Sequence, residues 1–179
     1  NLLLGLLKPT NGAINIDNAD MWQNLRAWQN HIGYVPQDVY LIDDTIRKNI
    51  AFALPETKID DSAVELAIKK SKLDNLINNL ENGKNTQIGE FGDRLSGGQK
   101  QRISIARALY SNPKVLIFDE FTNSLDIETE KKIIEEMVNF KREKTVIMIA
   151  HHLSALKSCD SIFKIENAKI TKVKNYNEN

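Results

Sequence analysis

The chain has 179 residues, 41% of them apolar and 27% charged, a balance that supports one buried core of single-domain size. Its 24 basic and 24 acidic residues cancel, which speaks against a nucleic-acid-binding surface. The lone Cys159 excludes an internal disulfide and fits a reduced, cytosolic setting, and the most apolar run, NLLLGLL, is too short to span a bilayer.

In chain order, NLLLGLLKPTNG reads as the end of a helix. Leu2, Leu3, Leu6 and Leu7 make an apolar stripe, and Pro9 with Gly12 stops it. An apolar start without a cap predicts a chain cut inside a helix. GAINID alternates apolar and polar residues and predicts a strand. LRAWQNHIGYVPQ predicts a short helix, then a strand from Ile32 to Val35 and a Pro36-Gln37 turn. DTIRKNIAFAL predicts a short helix with Asp44 or Thr45 as its cap. DDSAVELAIKKSKL and LDNLINNL predict two more helices, a helical lobe of about residues 40–110 set into an α/β pattern. NGKNTQIGEFG reads as a loop, and SGGQKQRISIARALYSN as a helix opened by Ser96 and two glycines.

KVLIFDE and KTVIMIAHH are unbroken apolar runs, the pattern of buried strands in a parallel sheet. Between them, DIETEKKIIEEMVNFK is an amphipathic helix with Asp126 as N-cap. SIFKIENAKITKV predicts a closing hairpin with Asn167 in its turn. Strand, helix, strand in the second half predicts an α/β fold whose ligands bind at the carboxyl ends of the strands. Asp119 and Glu120 fall at one such end and His151 at the next.

That placement suggests a chemistry. Mg²⁺ takes oxygen ligands and keeps several waters, so one or two carboxylates beside phosphate suffice. Asp119 is the candidate metal carboxylate, and Glu120 the candidate base that polarises an attacking water. LSGGQ sets a hydroxyl and two glycines at a helix N-terminus, an anion site to which the helix dipole contributes about 1 kcal/mol. A plain capping serine with turn glycines accounts for the same few residues without any ligand.

LSGGQKQR, followed by VLIFDE, SLD and a strand ending in histidine, resembles the ATP-binding cassette (ABC) ATPase family over essentially the whole chain. The resemblance implies a P-loop NTPase-like α/β fold: a parallel sheet flanked by helices, with a helical subdomain. It implies ATP and Mg²⁺ as cofactors. Gln37 in YVPQDVYL resembles the Q-loop glutamine, which senses Mg²⁺ and the attacking water. Leu95, Ser96, Gly97, Gly98 and Gln99 resemble the signature that faces a partner's nucleotide. Val115 to Asp119 resemble the Walker B strand, with Asp119 at the metal and Glu120 as catalytic base. Ser124, Leu125 and Asp126 resemble the D-loop, and His151 the switch histidine at the γ-phosphate. Phe121, Asn123 and Ser124 depart from the family's usual Ala, Ser and Ala, and His152 stands where exporters commonly carry Arg. TQIGEFG, with Glu90, resembles the X-loop of exporters, and LIDDTIRKNIAF is similar to an exporter stretch as well.

A P-loop, G-x-x-x-x-G-K-[ST], does not occur in these 179 residues. The one Gly-Lys pair is Gly83-Lys84, followed by Asn85, with Asn78 where the first glycine belongs. The opening NLLLGLLKPTNG resembles the later part of the helix that follows a P-loop. The expectation is therefore the C-terminal part of one ABC ATPase domain, inactive by itself. The implied partners are a second nucleotide-binding domain, paired head to tail, and a transmembrane domain, with no nucleic acid. The implied location is the cytoplasmic face of the inner membrane, and the implied cargo a lipid, lipid-linked sugar, peptide or drug. A soluble ABC ATPase and a non-catalytic regulatory fragment are the alternatives, and the X-loop-like stretch favours the exporter.

Overall fold

Gly5, at φ +68, stops the first segment. Its N–H bonds to Leu2 O, and the Leu6 N–H to Asn1 O, the paired bonds of a Schellman helix stop. The computed structural model, which describes residues 1–121, 127–140, 143–150 and 153–173, thus ends this helix-like turn at Gly5 instead of the expected Pro9 and Gly12. Leu6 and Leu7 beyond the stop remain exposed, so the predicted four-leucine stripe does not form. The single turn is tied down from outside: Trp28 Nε1 donates to Leu3 O at 2.8 Å and Gln29 Nε2 to Leu4 O at 3.1 Å.

The stretch expected as one strand is a small hairpin, β1 (Asn15–Ile16) and β2 (Ala19–Asp20). Asp17 and Asn18 between them lie at φ 48 and 69, the two left-handed residues of a type I′ turn. Both side-chain types tolerate that conformation, which is why the chain reverses there. Helix α1 (Leu25–Gln29) is capped by Asn24, and β3 (Ile32–Val35) follows. At α2 (Ile46–Ile50) the cap is Thr45, whose hydroxyl accepts from the Lys48 N–H at 3.1 Å. Asp60 caps α3 (Asp61–Lys70), and α4 (Asp74–Asn78) comes next. Arg47 of α2 bonds the carboxylate of Asp61, and Lys84 bonds those of Asp61 and Glu65, which fastens α2 and the 83–85 turn to α3. These contacts hold the Asp61 carboxyl well below its usual range, the Arg47 hydrogen bond most strongly.

Helix α5 (Gly97–Tyr110) leads into β4 (Val115–Asp119), α6 (Ile127–Phe140) and β5 (Thr145–Ile149). A hairpin of β6 (Ile162–Glu166) and β7 (Lys169–Val173) follows, with Asn167 and Ala168 in its turn at φ 49 and 60. Asp126, the expected cap of α6, lies outside the described residues. Among the described residues no helix is long and apolar enough to cross a membrane.

Strands β3, β4 and β5 form a parallel sheet in that order, with Ile32 opposite Val115 and Val115 opposite Thr145. Register sorts the side chains into two faces. Val35, Leu116 and Phe118 turn to the main core, which Ile103, Ala106 and Ile50 complete. Tyr34, Ile117 and Asp119 fall on the other face and line a cavity of about 1230 Å³ against the N-terminal leucines. Strand β5, expected to be buried, is half-exposed, and Ile149 keeps 49% of its surface open. Val146 and Met148 pack against the core, while the strand as a whole borders the cavity and so stays partly open.

Gly33 lets α5 lie close to β3: a Cβ there would sit 2.4 Å from the Ala108 carbonyl oxygen and 2.8 Å from Leu116 and Pro113. Backbone and packed side chains cannot move aside easily. Gly33→Ala is expected to cost about 1–3 kcal/mol, the usual range for overpacking. A fall in the urea unfolding midpoint would register it, and an unchanged midpoint would mean that helix and sheet separate freely.

Candidate active site

Asp119 is the last residue of β4 and is half-buried. Glu120 follows at φ +45, a left-handed conformation that costs a non-glycine residue about 1–2 kcal/mol. Its N–H still bonds to Ile149 O at 2.9 Å, so the ladder to β5 runs one residue past the strand before the chain turns. Backbone strain held in place by surrounding structure is a feature of functional sites. Gln37 lies two residues beyond the end of β3, the neighbouring strand, and is exposed. The structure therefore brings Gln37, Asp119 and Glu120 to one edge of the sheet. His151 and Asp126 lie outside the described residues.

Tyr34 is a member of this edge that sequence reasoning missed. Its phenol donates to Asp119 Oδ2 at 3.1 Å. Burial first, and then the Asp119 carboxylate, push its pKa up, so it remains a donor at neutral pH. The signal lay three residues before Gln37, but only the β3–β4 register shows that the two side chains meet.

The stretch Leu95 to Gln99 stands apart from the cavity that Asp119 lines. Ser96 caps α5: its hydroxyl accepts from the Gln99 N–H at 3.3 Å, and Gln99 Oε1 accepts from the Ser96 N–H at 2.8 Å. Ser96 and Gly97 are exposed, whereas Leu95 is half-buried. Two contacts link this helix to the Gln37 segment. Buried Gln101 donates to Pro36 O at 3.4 Å. Deeper along α5, Arg107 donates to Asn49 O and Tyr40 O, both at 2.8 Å, and to Asn49 Oδ1 at 3.1 Å. Its guanidinium also lies 4.5 Å from the centre of the Phe52 ring. Burial lowers the Arg107 pKa, and carbonyl oxygens and the ring face offset the lost hydration. Asn49, fully buried, in turn accepts from Ile42 N and donates to Ile42 O and Thr45 O. The expected loop Thr86 to Gly92 joins the same body, since Ile46 N bonds to Thr86 O and Ile88 N to Asp44 O.

Among the described residues no three His, Cys, Asp or Glu side chains gather as a metal cage. Asp119 offers a half-buried carboxylate at a strand tip. That donor fits Mg²⁺, which draws its remaining ligands from water and phosphate.

A parallel sheet flanked by helices, with polar side chains gathered at its carboxyl edge, fits the expected P-loop NTPase-like α/β fold. A family model described as ABC transporter matches residues 1–123. The chain is 38% identical over 173 residues to the ABC transporter ATM1 of Toxoplasma gondii, a match to 96% of this chain and 15% of that protein. It is 40% identical over 177 residues to an ATP-dependent lipid A-core flippase of Saccharophagus degradans, covering 98% of this chain and 30% of the relative. A bacterial Atm1-family ABC exporter solved with ATP bound matches with a TM-score of 0.82 at 39% identity, over 90% of this chain and 28% of that one. The chain belongs to the ABC transporter family. It spans between 15% and 30% of the length of the two curated relatives.

Proposed function

We propose that this chain is part of the ATPase domain of an ABC exporter, where ATP hydrolysis drives a substrate across a membrane. The observation that carries the reading is the carboxyl end of the parallel sheet, where β4 ends in Asp119 and Glu120 and the chain leaving the paired strand β3 continues into Gln37. The relatives named as a flippase and as transporters support the exporter branch. Asp119 would hold Mg²⁺, and Glu120 would accept a proton from the water that attacks the γ-phosphate. Gln37 would orient that water and report on it to the segment beyond, and His151 would contact the γ-phosphate. Mg²⁺, when bound, neutralises charge on the phosphates.

Leu95 to Gln99, with Asp126, would face the nucleotide of a second nucleotide-binding domain paired head to tail. The position of Ser96 supports this assignment: it sits on exposed surface, away from the Asp119 cavity. The helical stretch of about residues 40–110 would form the subdomain that touches a transmembrane domain, at the cytoplasmic face of the inner membrane. The cargo class remains lipid, lipid-linked sugar, peptide or drug.

Residues 1–179 contain no G-x-x-x-x-G-K-[ST] stretch, so the test uses the full-length polypeptide in lipid nanodiscs. It should hydrolyse ATP only with Mg²⁺, and Ser96→Arg should abolish turnover while leaving nucleotide affinity within about threefold, because the signature serves the opposite site. Absence of Mg²⁺-dependent hydrolysis in the unaltered protein would overturn the ATPase reading. Full turnover in Ser96→Arg would overturn the head-to-tail arrangement.

A further inference from the structure

We propose that Tyr34 is a positioning residue for Asp119: its phenol clamps carboxylate oxygen Oδ2 and so presents Oδ1 to the metal. The proposal rests on the reading of Asp119 as the Mg²⁺ carboxylate. Three observations carry it. Tyr34 and Ile117 are register partners on β3 and β4, so they share a sheet face, and Asp119 returns to that face two residues later. The phenol oxygen lies 3.1 Å from Asp119 Oδ2. The Asp119 backbone is held from β5, by pairing with Ile149 and by the next N–H bonding to Ile149 O. What remains free in Asp119 is rotation of its side chain, and one hydrogen bond from a rigid aromatic donor removes that freedom.

A hydrogen bond to an ionised acceptor is shorter and stronger than one between neutral groups. Partners of this kind orient metal ligands, and their loss weakens metal binding by about 10–100-fold. A carboxylate tethered through one oxygen offers the other in a single direction, which suits an ion that demands near-ideal octahedral geometry. Tyr34 itself touches neither metal nor substrate in this scheme.

The test compares Tyr34→Phe and Asp119→Asn in the full-length protein, each in a Glu120→Gln background that prevents turnover. Mn²⁺ with saturating ATP is titrated by electron paramagnetic resonance, and ATP affinity is measured separately in EDTA. Tyr34→Phe keeps the ring and its packing. The expected result is about tenfold weaker Mn²⁺ binding for Tyr34→Phe, at least as large a loss for Asp119→Asn, and unchanged metal-free ATP affinity in both. If Asp119→Asn loses Mn²⁺ and Tyr34→Phe does not, the positioning role is wrong and the Asp119 reading stands. If neither loses Mn²⁺, the Asp119 reading fails and takes the proposal with it. If Tyr34→Phe weakens metal-free ATP binding equally, the residue is merely structural and the proposal is overturned.

Discussion

Glu120→Gln in the full-length protein is expected to lower ATP turnover by about 10²–10⁴-fold, the range supplied by a positioned general base. Gln matches Glu in size and still accepts a hydrogen bond from water, but it cannot take the proton. The exchange preserves what holds the residue in place, namely a backbone at φ +45 and an N–H bonded to Ile149 O. Nucleotide affinity should therefore stay within a few-fold of the original, and the loss should fall on kcat. Single-turnover hydrolysis with equilibrium binding of ATP separates the two quantities. Turnover within tenfold of the original would place the base elsewhere, and the strained backbone at Glu120 would then need another explanation.

Phe121→Ala is expected to destabilise the domain by about 3–5 kcal/mol, the usual cost of deleting a fully buried Phe side chain. The family usually carries Ala here, which makes the substitution look harmless from the sequence. Yet Phe121 is 2% exposed and packs on Phe118, with ring centroids 5.1 Å apart and planes inclined by 53°. Phe118 is itself fully buried. Removing the Phe121 ring leaves a cavity against Phe118. Chemical denaturation followed by intrinsic fluorescence would measure the loss. A change below about 1 kcal/mol would mean that the surrounding side chains collapse into the space, as they do where a site relaxes well.

The Phe121 case shows where sequence reading stops. A bulky departure from a family pattern was visible, but whether it strained the site or filled a gap depended on neighbours more distant in sequence. The same limit applies to β5, whose apolar run predicted full burial. Sheet order and the cavity beside it left Ile149 49% exposed. In the N-terminal stretch, Pro9 and Gly12 were the obvious breakers, but Gly5 took the left-handed position first. Asp17-Asn18 carried a turn signal that the apparent alternation of GAINID concealed.

The sequence by itself determined the parts whose physics is local. Strand limits at Ile32–Val35 and the apolar run ending at Asp119 follow from side-chain pattern over a few residues. The cap at Ser96 follows from hydroxyl and amide chemistry three residues apart. The motifs LSGGQKQR and VLIFDE carried the resemblance to the family whose model matches residues 1–123. The tertiary structure alone decided what depends on register and packing. Tyr34 and Asp119 are 85 positions apart, and only the pairing of β3 with β4 sets the phenol on the carboxylate. Arg107 and Asn49 are 58 apart and meet because α5 packs across α2. A side chain's face follows from its own neighbours in the chain, but its partner across a sheet or helix follows from the whole fold, because one residue of slip exchanges every contact.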